Sequence, residues 1–451
     1  MSYEPVPADD PGGWADVRVL RDIVVERLSS GVRPEHRRER GRALIQEEVR
    51  AWAHKRVLAG HPPDAELEGR LQKRVFDAVF GMGRLQQLLE QPEVENIEIN
   101  GADQVWLRTR GGDLLRGEPV ADSDQELVEE LRYIASQAGR SLSTAHPRLH
   151  MELPDGSRLA AVIETTRRPH AVIRRHLVQD ITLSELARSG TLSDSLHAFL
   201  VCAVRARRNI IVTGAQNAGK TTLVRALAAE IPATERFATA EQEYELHLDR
   251  LDRHPHIVAM QAREGGSEYG PDGRPAGEVA LVDIVRDALR MNLSRIVVGE
   301  VRGPEVVPML DAMTTGDGGS LCTLHARSAT DAVERLVVLC GRYGINPDIA
   351  YRVIAGAVDL VVHVDLVDDT WRGGTRGRIV GGVVEVAGVG ENGRPAITDV
   401  YRPGADGRAQ PSGVPPTCMP DLQRVGFDPR WLHSAVAAPH HELARAERAW
   451  A

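Results

Sequence analysis

Between Val94 and Asn100 apolar and polar residues nearly alternate, Val94-Glu95-Asn96-Ile97-Glu98-Ile99-Asn100, and the run closes on Asn100-Gly101. A period of two sends successive side chains to opposite faces of an extended chain, and Asn-Gly supplies a tight turn. A strand is therefore expected here, with a second over Gln104–Arg108. Upstream the spacing is helical. The stretch to about Gly60 is broken at Ser29-Ser30-Gly31 and at Gly60-His61-Pro62-Pro63, and a further amphipathic helical region covers Glu66–Leu89. The charge run Arg33–Arg42 reads as a solvated helix face. Downstream, Ser123–Ala138 is a helix candidate, and Met151–Leu153 and Arg158–Glu164 flank Pro154-Asp155-Gly156-Ser157 as a hairpin.

From Asn209 onward the pattern changes. Strand-like Asn209–Thr213, Arg236–Ala240, Ile257–Gln261 and Ile296–Gly299 are interleaved with helix-like Thr221–Glu230, Leu281–Met291 and Glu305–Thr314. Such alternation predicts a mainly parallel sheet flanked by helices, with ligands bound at the carboxyl ends of its strands. Pro403–Pro416 reads as a loop and Pro439–Trp450 as a helix rich in alanine and arginine.

Composition adds limits. A chain of 451 residues is too long for one core. Its net charge of −9 and the lack of a long basic tract argue against nucleic acid as a partner. The four cysteines, Cys202, Cys322, Cys340 and Cys418, are scattered without metal or disulfide spacing and suit a reducing compartment. No apolar run approaches the roughly 20 residues that span a bilayer, and Met1–Pro5 lacks a signal pattern. A cytoplasmic protein is expected, reaching a membrane only through partners.

One segment changes the picture most. Of 55 basic residues only three are lysines, Lys55, Lys73 and Lys220, and Lys220 lies in Gly214-Ala215-Gln216-Asn217-Ala218-Gly219-Lys220-Thr221. This is the G-x-x-x-x-G-K-[ST] pattern, followed by Thr222. Backbone N–H groups of such a loop wrap phosphates, the lysine reaches the β/γ-phosphates as a compact charge, and the hydroxyl of Thr221 ligates Mg²⁺. The flanking strand and helix give the motif its required context, so a nucleoside triphosphate with Mg²⁺ is the expected ligand. The apolar strand Ile296–Gly299 leads to Glu300, where a metal-side or water-orienting carboxylate belongs; a surface pair with Arg302 is the plainer alternative. The acidic cluster Glu241-Gln242-Glu243-Tyr244-Glu245 follows another strand. Asp283, Arg286, Asp287 and Arg290 read as a salt-bridged exposed face. His325 ends the apolar run Ser320–Leu324, where a core or capping role is the commoner one for a lone histidine.

Taken in order, these segments resemble the secretion-motor ATPases of type II and type IV secretion, especially those that drive tight-adherence (Flp-type) pilus assembly. The resemblance runs from about Phe80 to about Val400. Phe80-Gly81-Met82-Gly83-Arg84-Leu85 through Asn100-Gly101 looks like the entry to the family's N-terminal domain. Leu153–Arg158 and Ile173-Arg174-Arg175 look like its arginine-bearing segments, and Gly214–Thr222 like its Walker A loop. Glu235-Arg236 through Glu245-Leu246 is similar to the Asp box, Asp283–Met291 with Arg295–Gly303 to the Walker B region, and Gly316 through Ala326 to the His box. Two positions depart from the pattern: Gln242 stands where the Asp box has aspartate, and Asp317 where the His box has its first histidine.

The resemblance implies an α/β protein with a RecA-like P-loop core, a smaller α/β N-terminal domain and a helical N-terminal extension. The expected boundaries are 1–75 for the extension, 76–178 for the N-terminal domain, 179–402 for the core and 403–451 for a C-terminal loop and helix. It further implies a homohexameric ring with nucleotide between the N-terminal domain and the core. Lys220 and Thr221 would hold phosphate and metal, Glu300 would orient the water, Glu241 would assist at metal or water, and His325 would sense the γ-phosphate. Arg158, Arg174 and Arg263 would stabilise charge. Force would pass to a polytopic inner-membrane platform protein, placing the ring at the inner membrane through that partner. An ATP-binding scaffold with little hydrolysis and a conjugation motor are the competing readings.

Overall fold

The computed structural model describes residues 12–29, 36–109, 111–175, 180–263, 265, 270, 271, 273–369, 373 and 376–433. Two compact units divide the chain, residues 1–177 and 178–451.

In the first unit, helices α1 (Trp14–Ser29), α2 (Arg37–Leu58) and α3 (Ala65–Phe80) pack around Val17, Val24, Leu44, Val49, Leu71 and Val75. Asp64 caps α3 by accepting the N–H of Leu67 at 2.7 Å. The helical region expected over Glu66–Leu89 is two helices, because the chain turns at Gly83 with φ +54 before α4 (Arg84–Leu89). Arg37, Arg38, Arg40 and Arg42 are exposed, as a solvated face requires; the start of that charge run, 33–35, lies outside the described residues.

A six-stranded sheet follows, built from β1 (Val94–Asn100), β2 (Val105–Thr109), β3 (Leu114–Arg116), β4 (Arg148–Glu152), β5 (Arg158–Val162) and β6 (His170–Arg174). Its order is β3-β2-β1-β6-β5-β4, with every neighbouring pair antiparallel. The alternation read in the sequence has its cause here. Ile97, Ile99, Leu107, Leu159 and Ile173 line the core with Leu127, Leu131 and Ile134 of α5 (Asp124–Gln137), whose N-cap is Ser123.

The second unit contains α6 (Leu183–Arg188), α7 (Asp194–Arg205), β7 (Ile210–Gly214), α8 (Lys220–Ala228), β8 (Phe237–Glu241), β9 (Val258–Gln261), α9 (Leu281–Ala288), β10 (Arg295–Val301) and α10 (Val306–Thr315). It continues through β11 (Leu321–Leu324), α11 (Asp331–Arg342), α12 (Pro347–Ala357), β12 (Leu360–Asp368), β13 (Arg376–Val389), β14 (Pro395–Pro403), β15 (Ala409–Pro411) and α13 (Met419–Arg424). Over the described residues the strands form one sheet in the order β15-β14-β13-β12-β7-β11-β10-β8-β9. From β12 to β9 neighbours are parallel; β13, β14 and β15 extend it as an antiparallel meander.

Both faces of the parallel part are covered, which is why its strands read as continuous apolar runs. In β7, Ile210 and Val212 enter the cluster with Phe199 of α7 and Leu223 of α8. Ile211 faces the other way, toward Val285 of α9 and Leu310 of α10. Within Pro403–Pro416, read as a loop, Ala409–Pro411 form β15, and beyond it α13 brings Met419 and Leu422 into the first of these clusters. The helix expected over 439–450 lies outside the described residues.

Candidate active site

Parallel pairing sets three chain segments at one edge of the second sheet. Thr213 of β7 pairs with Leu324 of β11, and Leu324 with Val301 of β10, so Gly214, His325 and Glu300 emerge at the carboxyl ends of adjacent strands. The loop after β7 is shaped for a close ligand. A Cβ on Gly214 would collide with the carbonyl oxygen of Val364, Asn217 sits at φ 63, and Gly219 caps α8 at φ 99. The first N–H groups of α8 have no intrahelical acceptors and carry the positive end of the helix dipole toward this loop. Such a cradle fits a nucleotide phosphate chain. Lys220, 7% exposed, bends back so that Nζ donates to Ala215 O at 2.8 Å.

The chemistry gathers around that ammonium. Lys220 Nζ lies 3.3 Å from His325 Nδ1 and 3.4 Å from Nε2. On the far side, His325 Nε2 approaches Glu300 Oε1 at 2.8 Å. The oxygen is buried and makes no aligned hydrogen bond, so this is a close polar contact. Burial, and then the Lys220 cation, push the pKa of His325 below its ordinary value against the pull of Glu300. The ring is therefore neutral near pH 7. Arg302 pairs with the other oxygen of Glu300. The two readings of Glu300 are thus compatible: one oxygen faces the surface cation, the other the loop.

Glu300 reaches this position through a bulge. Val298 pairs with Cys322 and Val301 with Leu324, so Gly299 and Glu300 together oppose Thr323. Thr323 Oγ1 donates to Gly299 O at 2.6 Å and ties the bulge to β11. A bulge re-aims the side chain it carries. The strand also runs on past Glu300, to Val301, instead of ending there.

Glu241 and Thr221 come together through an intermediary. Glu241 is 2% exposed, and its Oε1 accepts the N–H groups of Glu245 at 3.0 Å and Leu246 at 2.9 Å. The loop so held brings Glu245 Oε2 to 3.3 Å from Thr221 Oγ1. The carboxylate touching the threonine hydroxyl is thus that of Glu245, with Glu241 setting the loop. A hydroxyl with a nearby carboxylate, completed by phosphate oxygens, suits Mg²⁺. Ala215, Gln216 and Asn217 are exposed, Ala218 is buried, and Thr222 is half-buried on α8.

Not every candidate joins this cluster. Arg263 lies past the edge strand β9, where its Nε donates to Gly277 O at 2.7 Å. Arg158 and Arg174 belong to the first unit, side by side in register on β5 and β6. The two departures also separate. Gln242 is exposed next to Glu241, whereas Asp317 precedes β11, at the end opposite His325, and pairs with Arg207 at 3.5 Å. Two residues that sequence reasoning did not single out do reach the site: Glu245, visible only as part of an acidic cluster, and Arg378 of β13, whose Nε donates to Asn217 O at 3.3 Å.

A parallel α/β sheet with a glycine loop, a lysine and a helix N-terminus at its strand ends defines a P-loop ATPase. The family described as type II/IV secretion system protein matches residues 80–407, and the chain belongs to it, within the secretion-motor ATPase superfamily. PtlH, a type IV secretion system protein of Bordetella pertussis, is 31% identical over 327 residues, 67% of this chain and 93% of PtlH. A Mycobacterium tuberculosis protein provisionally named for conjugal transfer is 32% identical over 293 residues, 63% of this chain and 80% of that one. The Legionella pneumophila ATPase DotB gives a TM-score of 0.49 at 20% identity, covering 81% of this chain and 87% of DotB.

Proposed function

We propose that the second unit binds ATP with Mg²⁺ on the Gly214–Thr222 loop and hydrolyses it, and that the chain works as a homohexameric ring powering secretion or pilus assembly. The observation that carries the reading is the contact chain Lys220–His325–Glu300 at the mouth of the loop. Lys220 neutralises phosphate charge and Thr221 ligates the metal. Glu300 orients the attacking water, and neutral His325 reports the γ-phosphate to the loop. Glu241 acts through the loop that carries Glu245. Arg158, Arg174 and Arg263 are proposed to stabilise developing charge. No described helix is long and apolar enough to cross a membrane, so work would pass through an inner-membrane platform protein, of the tight-adherence kind in the closest reading.

The test is Mg²⁺-dependent ATP hydrolysis on size-fractionated protein. Turnover is expected in a ring-sized fraction of the wild type, and loss of at least a hundredfold in Lys220→Ala and Glu300→Gln, the latter still binding ATP. Wild-type turnover in Glu300→Gln would remove Glu300 from the reaction. ATP binding without turnover in any fraction would favour a scaffold. Salt-sensitive stimulation by DNA would favour conjugation, the process in the mycobacterial relative's name.

A further inference from the structure

The strands on the β12 side of the phosphate loop are braced against it at three levels. Thr213 and Gly214 of β7 pair with His363 and Val364 of β12. His363 Nδ1 lies 2.9 Å from Thr213 Oγ1, and the Val364 carbonyl fills the space a Cβ on Gly214 would need. One strand further out, β13 places Arg378 opposite Leu366 of β12. From there the arginine stem crosses Gly219, with Cδ 2.9 Å from where a Cβ would stand, and Nε donates to the carbonyl of Asn217.

Asn217 sits at φ 63, a left-handed turn that asparagine adopts more readily than most non-glycine residues. The bond from Arg378 falls on that residue. It also falls on a particular peptide unit, because the carbonyl of Asn217 and the N–H of Ala218 belong to one amide. A guanidinium drawing electron density from the oxygen makes the N–H, which turns inward to Ala215 O at 3.3 Å, a stronger donor, and a loop that binds phosphate works through its N–H groups.

We propose that Arg378 is a positioning residue for nucleotide binding, holding and polarising the Asn217–Ala218 peptide of the phosphate loop through its Nε–H. The proposal rests on the reading of that loop as the ATP site, and the controls keep the two apart. Full-length protein is titrated with Mg²⁺ and a fluorescent, non-hydrolysable ATP analogue, comparing wild type, Arg378→Ala, Arg378→Lys and Lys220→Ala. Loss of one charge-assisted hydrogen bond predicts an affinity about tenfold weaker in Arg378→Ala. The loss should fall on KM more than on kcat, be partly restored in Arg378→Lys, which keeps a cationic donor, and leave the melting temperature without nucleotide unchanged. Affinity within twofold of wild type in Arg378→Ala, with Lys220→Ala impaired, would overturn the proposal and leave the ATP site standing. A fall in nucleotide-free stability that accounts for the weaker binding would also overturn it, reducing Arg378 to a structural brace. Lys220→Ala binding as tightly as wild type would instead remove the site on which the proposal rests.

Discussion

His247 shows what burial does to a single ionisable group. It is 1% exposed, sits at φ 47 in the left-handed region, and among the described residues neither ring nitrogen has a hydrogen-bond partner. Burial, with Arg250 and Arg225 nearby, pushes its pKa down to about 4. A free histidine takes up its proton near pH 6.5, so between about 6.5 and 4 the unfolded chain binds a proton that the folded chain refuses. The stability contributed by the neutral ring is therefore complete above about pH 6.5 and lost as pH falls toward 4, by up to about 3 kcal/mol. His247→Asn removes the titration and keeps a residue that tolerates positive φ. Urea midpoints at pH 7.5 and pH 5 should fall less in the variant than in the wild type. An equal fall in both would place the acid sensitivity elsewhere. His325 titrates in the same sense, since its pKa is also depressed, and acid should quench turnover as its ring protonates beside Lys220.

Between elements, the site depends on how closely β8 and β10 approach. They are parallel neighbours, and a Cβ on Gly299 would lie 3.0 Å from Glu241 Cγ and 3.3 Å from Oε1. Gly299→Ala must therefore push the Glu241 side chain by a few tenths of an ångström against its bonds to the N–H groups of Glu245 and Leu246, or spread the strands. Overpacking of this kind costs about 1–3 kcal/mol. The denaturation midpoint should drop accordingly and ATP turnover should fall with it; an unchanged midpoint with full turnover would show that the carboxylate is not held there. The same elements explain what was legible beforehand. Strand, glycine loop and helix lie within some twenty consecutive residues, and their signal is local, so β7, the loop and α8 could be read directly. The bulge that aims Glu300 is a property of register between β10 and β11, which no single segment encodes. Arg378 stands 161 residues from Asn217, and in a chain this rich in arginine nothing local distinguishes it. The helices and strands between His325 and Pro403 carry no comparable local signal, because their apolar runs answer to partners far away: Val362 and Val364 of β12 share a cluster with Ile210 and Val212, and Val361 with Ile211.

At the scale of the molecule, the two units have separate apolar cores: in the first, one among α1–α3 and one shared by the six-stranded sheet and α5; in the second, one on each face of the nine-stranded sheet. Separate cores make a single two-state transition the wrong expectation for the whole chain. Calorimetry should resolve two transitions. If a non-hydrolysable ATP analogue with Mg²⁺ binds the folded second unit as proposed, at a hundredfold excess over Kd it should stabilise that unit by about 2.7 kcal/mol through mass action alone. The transition of residues 178–451 should rise by several degrees while the other is unmoved, and Lys220→Ala should abolish the rise. Assignment of each transition follows from hydrogen exchange in β1 and β7, strands buried at the centres of their respective sheets. If both transitions rose together in the wild type, nucleotide would be coupling the two units, and the energy of binding would be available for movement between them. If only the second rose, binding alone would leave the first unit indifferent, and any displacement that does work would have to come from hydrolysis or from assembly into the ring.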